Sequence, residues 1–374
     1  MQGHRHMAET RNLVLVGGGH THALVLHAYA KQPMPGVRLT LVTPDPTAPY
    51  TGMLPGYIAG HYSRAALEID LMHLCKRAGA RLVLAKATGL DRAACQVQLS
   101  TGAAMPYDVA AIDIGITSDL PQIPGYGAHA VSAKPLGDYA RRWEAWRADV
   151  TQGVVAPEVA VIGGGVAGVE LALAMAHRLR DQDAQVCVIE AQHLLPNIGT
   201  RARAQLLAHL AQAGVTCVEN ARVAEVTENG VRLSDGRDIA ASLVLGAAGS
   251  RPQDWLRDTG LHLTDGYITV DQYLRSQNDP AIFAVGDCAH MAHAPRAKAG
   301  VYAVRQAPFL LNNLRAAMGT GRMRPYHPQR DYLKLVSLGG KSALADKWSL
   351  PLEGRWLWWL KDRIDARFMQ QFRD

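Results

Sequence analysis

Two glycine-rich turns carry the clearest chemical signal in the sequence. The first is Gly17-Gly-Gly-His-Thr-His22, and the second is Gly163-Gly-Gly-Val-Ala-Gly168. Each lies between two apolar runs, which is the pattern of a buried parallel strand, a tight turn and a helix. Glycines let the backbone approach phosphates, and the helix N-terminus adds free N–H groups and partial positive charge. Each turn therefore predicts a binding site for the diphosphate of a dinucleotide.

The second turn has the complete spacing of a dinucleotide-binding turn. Its glycines Gly163, Gly165 and Gly168 follow the G-x-G-x-x-G pattern, and the next apolar strand ends in Glu190. A carboxylate at that place accepts hydrogen bonds from the ribose hydroxyls and repels a 2′-phosphate. We therefore predict that the second turn binds NADH in preference to NADPH.

The first turn departs from this pattern at two points. His22 replaces the third glycine, and the next strand ends in Thr43, with Asp45 as a substitute ribose ligand. His20 and His22 also form an H-x-H pattern, but histidines placed near a phosphate or in the core are favoured over metal ligands, and no metal is predicted. The candidate cofactor-binding residues of this half are Gly17, Gly19, His20, His22 and Asp45.

Composition and charge limit the class of protein. The 374 residues are 48% hydrophobic and 19% charged, which fits a folded globular chain. The net charge of +6 arises without a run of Lys or Arg, so nucleic-acid binding is not predicted. Residues 1–7, which include His4 and His6, resemble an expression remnant.

The cysteines argue against a disulfide scaffold and against dithiol chemistry. There are five of them, and they form no CxxC or CxxxxC pair. An odd count without an export signal favours a reducing compartment, so we expect a cytoplasmic protein.

Residues 159–176 form a stretch that is long and apolar enough to raise the question of a membrane span. Their four glycines and Glu170 favour a strand, turn and helix instead.

Two dinucleotides in one chain indicate electron transfer between them, most simply a nicotinamide that passes hydride to a flavin. Further motifs occur in order along the chain. They are Pro49-Tyr-Thr-Gly-Met-Leu-Pro55, Ile112-Asp-Ile-Gly115, Leu245-Gly-Ala-Ala-Gly249 and Ile282-Phe-Ala-Val-Gly-Asp-Cys-Ala289. With the two turns, they resemble the FAD-dependent pyridine nucleotide–disulfide oxidoreductase superfamily. The resemblance is strongest to its type II NADH dehydrogenase-like branch, and within it to flavoproteins associated with or fused to selenide, water dikinase.

The resemblance implies the fold, the cofactors and the domain limits. It implies an α/β chain with two Rossmann-like dinucleotide-binding domains and a small C-terminal α+β segment, with FAD at the first turn and NADH at the second. The FAD domain would comprise residues 11–125 and 255–325, the NADH domain 126–254, and the C-terminal segment 326–374. The residues that the resemblance adds to the cofactor sites are Met53, Leu54, Gly115, Gly249, Gly286, Asp287 and Lys298.

The resemblance also indicates residues near the reacting groups. Glu170 would start the helix that faces the nicotinamide, where it could orient the carboxamide, relay a proton or satisfy helix N–H groups. We expect a helix near Pro295 that carries Lys298 in its first turn, close to the flavin. Cys288 is expected to be a small buried residue without a redox role.

The sequence does not single out one electron acceptor. Type II NADH dehydrogenases carry an A-Q-x-A-x-Q-Q string for quinone, whereas this chain has Gly300-Val-Tyr-Ala-Val-Arg-Gln306, in which Gln306 is retained. A quinone or another small acceptor is the leading hypothesis. The alternatives are a flavin-containing accessory module in selenium metabolism and a reductase of a protein electron carrier.

The last residues predict two strands, Tyr332 to Leu338 and Ala343 to Leu350, followed by an amphipathic helix from about Arg355. Its expected apolar stripe consists of Leu357, Leu360, Ile364, Phe368 and Phe372. Such a helix can pack on the protein body or on a second subunit, or it can lie on an anionic bilayer, which would place the protein peripherally on the inner membrane.

Overall fold

Two five-stranded parallel sheets organise the chain. The computed structural model describes residues 10–118, 120–134, 136–249, 251–347 and 351–373. The interpretation of residues 1–7 as an expression remnant lies outside these residues. The central strands of both large sheets are buried and apolar, and smaller sheets with mostly antiparallel pairing flank them.

The first region runs through residues 10–118. Its strands are β1 (Arg11–Val16), β2 (Val37–Thr43), β3 (Thr47–Pro49), β4 (Glu68–Asp70), β5 (Arg81–Leu84), β6 (Ala87–Asp91), β7 (Gln96–Leu99), β8 (Ala104–Pro106) and β9 (Val109–Ile112). Its helices are α1 (His20–Lys31), α2 (Leu54–Ala59), α3 (Arg64–Leu67) and α4 (Leu71–Ala78). Strand β1 pairs in parallel with β2 and β9, and the three are rich in Val, Leu and Ile because both faces of the sheet are covered.

The second region repeats this plan. Its elements are α5 (Tyr126–His129), β10 (Ala130–Ser132), α6 (Leu136–Thr151), β11 (Glu158–Ile162), α7 (Val166–Leu179), β12 (Gln185–Ile189), α8 (Thr200–Gln212), β13 (Thr216–Val218), β14 (Val223–Thr227), β15 (Gly230–Leu233), β16 (Asp238–Ala240) and β17 (Leu243–Gly246). The parallel sheet has the order β10-β17-β11-β12-β13. The apolar stretch 159–176 is therefore divided between β11, the glycine turn and α7, as the sequence favoured.

The third region returns to the first sheet. Its elements are β18 (Leu263–Thr264), β19 (Tyr267–Val270), β20 (Ile282–Ala284), β21 (Ala289–Met291) and α9 (Gly300–Ala317). Strand β20 pairs in parallel with β9 and completes the order β20-β9-β1-β2-β5. The segments that cross between the two sheets run side by side, because Thr117 and Arg251 form an antiparallel bridge. This mixed architecture of two parallel sheets with covering helices confirms the predicted fold class.

The C-terminal region consists of β22 (Lys334–Ser337), β23 (Ala343–Asp346), β24 (Leu352–Gly354) and α10 (Arg355–Gln370). The two expected strands are present but shorter than predicted, and residues 348–350 lie outside the described residues. Strand β24 was not predicted, because three residues carry too little periodic signal. Among the residues that the structure describes, none of the helices has both the length and the apolar character needed to cross a membrane.

Candidate active site

The first glycine turn lies at the carboxyl end of β1. Gly17 has a φ of +96°, and a Cβ at this position would collide with the main-chain oxygen of Asp113, so glycine is required here. Helix α1 begins at His20, and Gly19 is its N-cap residue without a capping side chain. The turn therefore presents helix N–H groups at a sheet edge, which is the arrangement that binds diphosphates.

His22 stands in the place of the third glycine and holds the turn with its ring. The residue is fully buried, and its Nδ1 lies 2.7 Å from the carbonyl oxygen of Gly17, so Nδ1 must carry the proton and donate. Burial lowers the pKa of His22 to about 4, which keeps the ring neutral. The ring therefore fills the space between α1 and the end of β1, whereas a glycine at this position would let the helix and the strand pack directly on each other.

His20 lies where the first turn meets the segment predicted to pass the flavin. Its Nε2 is 3.3 Å from the carbonyl oxygen of Pro49, and its ring meets Tyr50 edge-on at 5.4 Å between centroids. Burial lowers the pKa of His20, while the nearby carboxylates of Asp113 and Asp287 oppose that shift. The turn, this segment and the two acids therefore converge on one place.

Asp113 is a functional candidate that the sequence analysis missed. It follows β9, and its Oδ2 accepts a hydrogen bond of 3.0 Å from the N–H of His22. A Cβ added at Gly19 or at Gly286 would collide with its carboxyl group, which therefore fills the gap between these two glycines. Burial raises the pKa of Asp113 to about 6. The available signal was its position: an acid directly after a buried strand, at the sheet edge that carries the turn.

The turn at Gly286 and Asp287 closes the same edge. Gly286 has a φ of +66° and donates its N–H to Oε1 of Gln306 at 2.8 Å. Asp287 Oδ2 lies 3.0 Å from Nζ of Lys134, a residue just after β10 that the sequence analysis did not select. Gln306 is only 2% exposed and its side chain supports this turn, while its role toward a quinone, which the resemblance implied, stays a prediction.

The expectation for Lys298 is wrong in its local structure. Helix α9 begins at Gly300 and not near Pro295, because the preceding Ala299 is extended, so Lys298 lies before the helix. Its Nζ donates to the carbonyl oxygen of Ala289 and lies 4.0 Å from the centroid of the Tyr267 ring. Burial lowers the pKa of Lys298. These contacts hold its amine against β19 and β21.

Cys288, in the same turn, shows the chemistry of a buried thiol. It is fully buried, and its Sγ lies 3.2 Å from the carbonyl oxygen of Val285. Burial raises the pKa of Cys288 to about 12, so the reactive thiolate is disfavoured. This agrees with the interpretation of Cys288 as a small core residue.

The second glycine turn keeps an open face. Gly163 has a φ of +116°, and a Cβ at Gly168 would collide with the carbonyl oxygen of Gly163. A Cβ at Gly165 would meet no atom of the described residues within 4 Å, apart from its chain neighbours and the backbone of its own helix. Glu190, at the end of β12, accepts the N–H of Gly164 at 2.8 Å. The acid is therefore beside the turn, as its predicted role as ribose ligand requires.

Glu170 belongs to a buried polar cluster. Its Oε1 accepts the N–H of Ser337 at 2.7 Å, and burial raises the pKa of Glu170 to about 7 although the charge of Lys361 opposes the shift. Lys361 donates to Oδ2 of Asp365 at 2.6 Å, and Tyr50 donates to Oδ1 of Asp365 at 3.0 Å. The cluster joins α7, β22 and α10 to the segment that contains Tyr50.

Three of the remaining predicted site residues lie between β2 and the start of α2, and two lie on the crossover segments. Asp45 follows β2 and is exposed, whereas Met53 and Leu54 are buried where a 3₁₀ turn enters α2. Gly115 and Gly249 lie on the two adjacent crossover segments. The geometry therefore brings the turns and crossovers together but leaves Asp45 on the surface.

Helix α10 packs on the body with most of the expected stripe, because Leu360 and Phe368 also pack against the core. Leu357 and Phe372 are buried as expected, but Ile364 is 49% exposed and Asp365 is buried in the polar cluster. Aromatic contacts also tie Phe368 to Tyr50, with centroids 4.5 Å apart. The exposed large apolar side chains of this region are Leu352, Trp356, Trp359 and Ile364.

Comparisons with known proteins agree with this geometry. The NADH dehydrogenase-like protein YutJ of Bacillus subtilis is 25% identical and covers 92% of this chain, which in turn covers 95% of YutJ. The type II NADH:quinone oxidoreductase of Haemophilus influenzae is 29% identical over 50% of this chain and 46% of its own length. The structure of NDH2 from Plasmodium falciparum in complex with NADH superposes with a TM-score of 0.83 at 14% identity, covering 97% of this chain and 98% of that one.

The family model of the pyridine nucleotide-disulphide oxidoreductases matches residues 11–307, which include both glycine turns and both crossover segments. The match covers most of the chain and includes the residues of both glycine turns, whereas Ser337, Lys361 and Asp365 of the polar cluster lie beyond it. The chain belongs to the pyridine nucleotide-disulphide oxidoreductase family.

Proposed function

We propose that this chain oxidises NADH through bound FAD and passes two electrons to a quinone or another small acceptor. The observation that carries the proposal is the presence of two glycine turns, each at the carboxyl end of its own parallel sheet, joined by adjacent crossover segments. When bound, FAD supplies the chemistry of accepting hydride from NADH and releasing electrons to the acceptor. The protein contributes mainly by holding the two coenzymes in contact.

The residues present fit both coenzymes. The N-terminus of α1, where Gly19 brings no capping side chain, together with the turn at Gly286 and Asp287, would hold FAD. The open face of Gly165 and the adjacent Glu190 would hold NADH. We assign these cofactors to residues 11–125 with 255–325 and to residues 126–254, respectively, with residues 326–374 as the C-terminal segment.

The reaction proceeds without a redox-active disulfide in this proposal. The cysteines are all free thiols, and three of the five are buried. The buried Cys288 disfavours its thiolate form. Electron transfer to the acceptor therefore depends on the flavin and not on a cysteine pair.

Glu170 is proposed to orient the nicotinamide or to relay a proton beside it. Glu170 lies near the start of α7, two residues after the second glycine turn, and its Oε1 accepts a hydrogen bond from the N–H of Ser337. A carboxyl group whose pKa is about 7 can exchange a proton near neutral pH, which a surface glutamate cannot do. Lys361 and Asp365 provide the polar surroundings for that exchange.

The exposed face of α10 is proposed to contact an anionic membrane surface. Trp356 and Trp359 are 56% and 57% exposed, and Arg363 stacks on Trp359 with its guanidinium carbon 5.4 Å from the ring centroid. Exposed tryptophans beside arginines favour the interface between headgroups and acyl chains. A quinone acceptor would be reached from that surface.

Substitutions on α10 test the membrane proposal better than removal of the whole helix. Removal of α10 and the residues after it would also remove Asp365 and the buried Leu357 and Phe372. We expect Trp356→Ala/Trp359→Ala to lower cosedimentation with vesicles of phosphatidylglycerol and phosphatidylcholine severalfold. The matched control is Met72→Ala, which removes a similarly exposed apolar side chain from α4. Equal sedimentation of both variants and the parent protein would contradict the proposal.

An acceptor screen tests the proposed function. We expect steady-state NADH oxidation to be fastest with a soluble quinone. Oxidation with a ferredoxin-type carrier that is faster, and strongly salt-dependent, would favour a carrier reductase instead. The resemblance to dikinase-associated flavoproteins supplies the third outcome, which is slow oxidation with every acceptor together with specific binding to selenide, water dikinase.

A further inference from the structure

We propose that Asp113 is part of the FAD site and that it takes up a proton from solvent when the FAD diphosphate binds. The inference rests on the proposed function, since it requires FAD at the first turn. It concerns a residue that neither the glycine pattern nor the resemblance selects.

The position of the carboxyl group carries the argument. The second glycine of a dinucleotide turn lacks a side chain so that the diphosphate can approach the backbone. In the first turn this residue is Gly19, and the space its Cβ would take is filled by the carboxyl group of Asp113. Gly286 borders the same carboxyl group from the opposite side. Asp113 therefore faces the place at which two phosphate charges are expected.

The second turn shows what the same place looks like without the acid. Asp113 follows β9 and donates its N–H to Val16 at 2.8 Å, and Ala247 follows β17 and donates its N–H to Ile162 at 2.8 Å. The two residues are thus structural counterparts. Alanine brings no charge, and the space at Gly165 stays open. The carboxyl group is an addition specific to the first turn.

The described groups that face Asp113 bring no fixed positive charge to it, so the carboxylate loses its charge by taking up a proton. On α1, His20 and His22 face it, and burial lowers the pKa of each ring, which disfavours the positive charge that would pair with the carboxylate. On the 286–288 turn, Asp287 already pairs with Lys134, and Cys288 is a thiol.

Burial raises the pKa of Asp113 to about 6 although the N–H of His22 opposes the shift, and the diphosphate charges would raise it further. When protonated, Asp113 still accepts the N–H of His22 at Oδ2. Its new O–H then donates, so a repelling group becomes a hydrogen-bond donor toward a phosphate oxygen. One proton from solvent is consumed for each FAD bound, and no other bond changes.

The experiment measures FAD release from the purified holoprotein as a function of pH. A dilution series at each pH between about 6 and 9, at constant ionic strength, gives the Kd from the fluorescence of free flavin. Near-UV circular dichroism at each pH checks that the chain stays folded. We expect Kd to rise by up to about tenfold per pH unit above about pH 6, because only the protonated carboxyl group binds FAD.

Four variants test the assignment, and the fourth, Asp287→Asn, removes the neighbouring carboxyl group. In Asp113→Asn the slope should vanish, and near pH 8.5 FAD should bind at least about tenfold more tightly than in the parent protein. Asp113→Ala, which reproduces the second turn, should also be flat with pH. Asp181→Asn, which removes a carboxylate with an 82% exposed side chain, should keep the slope of the parent protein.

The outcomes separate the two claims. A parent protein whose Kd does not change with pH, or an Asp113→Asn variant that keeps the slope, overturns the role of Asp113 while the proposed function stands. If Asp287→Asn loses the slope and Asp113→Asn keeps it, Asp287 is the group that takes up the proton, and the inference is equally overturned. If neither the parent protein nor any variant binds FAD at any pH, the proposed function fails and the inference fails with it.

Discussion

The two glycine-rich turns share a backbone path but are held by different side chains. In the first turn, the ring of His22 and the carboxyl group of Asp113 fill the space around the glycines. In the second, Gly168 packs directly on Gly163, and Ala247 takes the place of Asp113. A turn that is filled and tied by side chains suits a coenzyme that stays bound. An open turn with an acid at its edge suits a coenzyme that exchanges in every turnover.

The largest expected effect comes from removing the ring that holds the first turn. His22→Ala should lower the free energy of unfolding by about 2–4 kcal/mol, because it leaves a cavity and removes the hydrogen bond to Gly17. Urea unfolding of the holoprotein measures the change. His73→Ala, at an exposed position of α4, is the control. A loss below about 0.5 kcal/mol for His22→Ala would show that the ring does not support the turn.

The second prediction concerns the acid of the second turn. Glu190→Ala should reduce kcat/KM for NADH by about ten- to a hundredfold, because a charged hydrogen bond to the ribose is lost. The efficiency with NADPH should fall less, or rise, since the repulsion of a 2′-phosphate is also removed. Steady-state kinetics with both coenzymes, with Glu228→Ala as an exposed control, measure this. An unchanged ratio of the two efficiencies would exclude Glu190 as the ribose ligand.

The third prediction compares equivalent glycines, since Gly19 and Gly165 are the N-cap residues of α1 and α7. Gly19→Ala should lower the free energy of unfolding by about 1–3 kcal/mol more than Gly165→Ala, because only the first Cβ collides with Asp113. Thermal unfolding measures the difference. The double variant Gly19→Ala/Asp113→Ala should recover most of the loss. If both single variants are equally stable, the two turns do not differ in the way described.

The smallest expected effect is the pH dependence that Glu170 adds to stability. Its pKa in the folded chain is about 7, above its ordinary value of 4.5, so the folded state binds more protons between these values. Stability from this group is therefore present below about pH 4.5 and is lost as the pH rises through about 7. The Tm of the parent protein should fall relative to that of Glu170→Gln over this range. A constant difference in Tm would contradict the raised pKa.

Local patterns account for what the sequence could predict. One continuous stretch of strand, turn, helix and strand contains the glycine spacing, the apolar strands and Glu190 at a strand end. The structure places these features as expected. Helix α10 likewise begins at Arg355. The parallel sheets followed because strands that are apolar on both faces must be covered on both.

Contacts between distant segments account for the rest. Asp113 meets His22, and Lys134 pairs with Asp287, through pairings across the fold that no local spacing encodes. The predicted apolar stripe of α10 is wrong at Ile364, because Ile364 is exposed and the neighbouring Asp365 is buried. Its hydrogen bonds from Tyr50 and Lys361 offset the cost of burying a carboxylate. The start of α9 was misplaced for a related reason: Lys298 is fixed by Ala289 and Tyr267 before the helix begins.

The most direct test of two coenzymes in contact is rapid mixing of the purified holoprotein with NADH in the absence of oxygen. We predict a yellow protein whose flavin absorbance bleaches with one NADH consumed per FAD, at a rate no slower than steady-state turnover. A protein that is colourless and does not take up added FAD, or one whose bound flavin keeps its absorbance in excess NADH, would contradict the account.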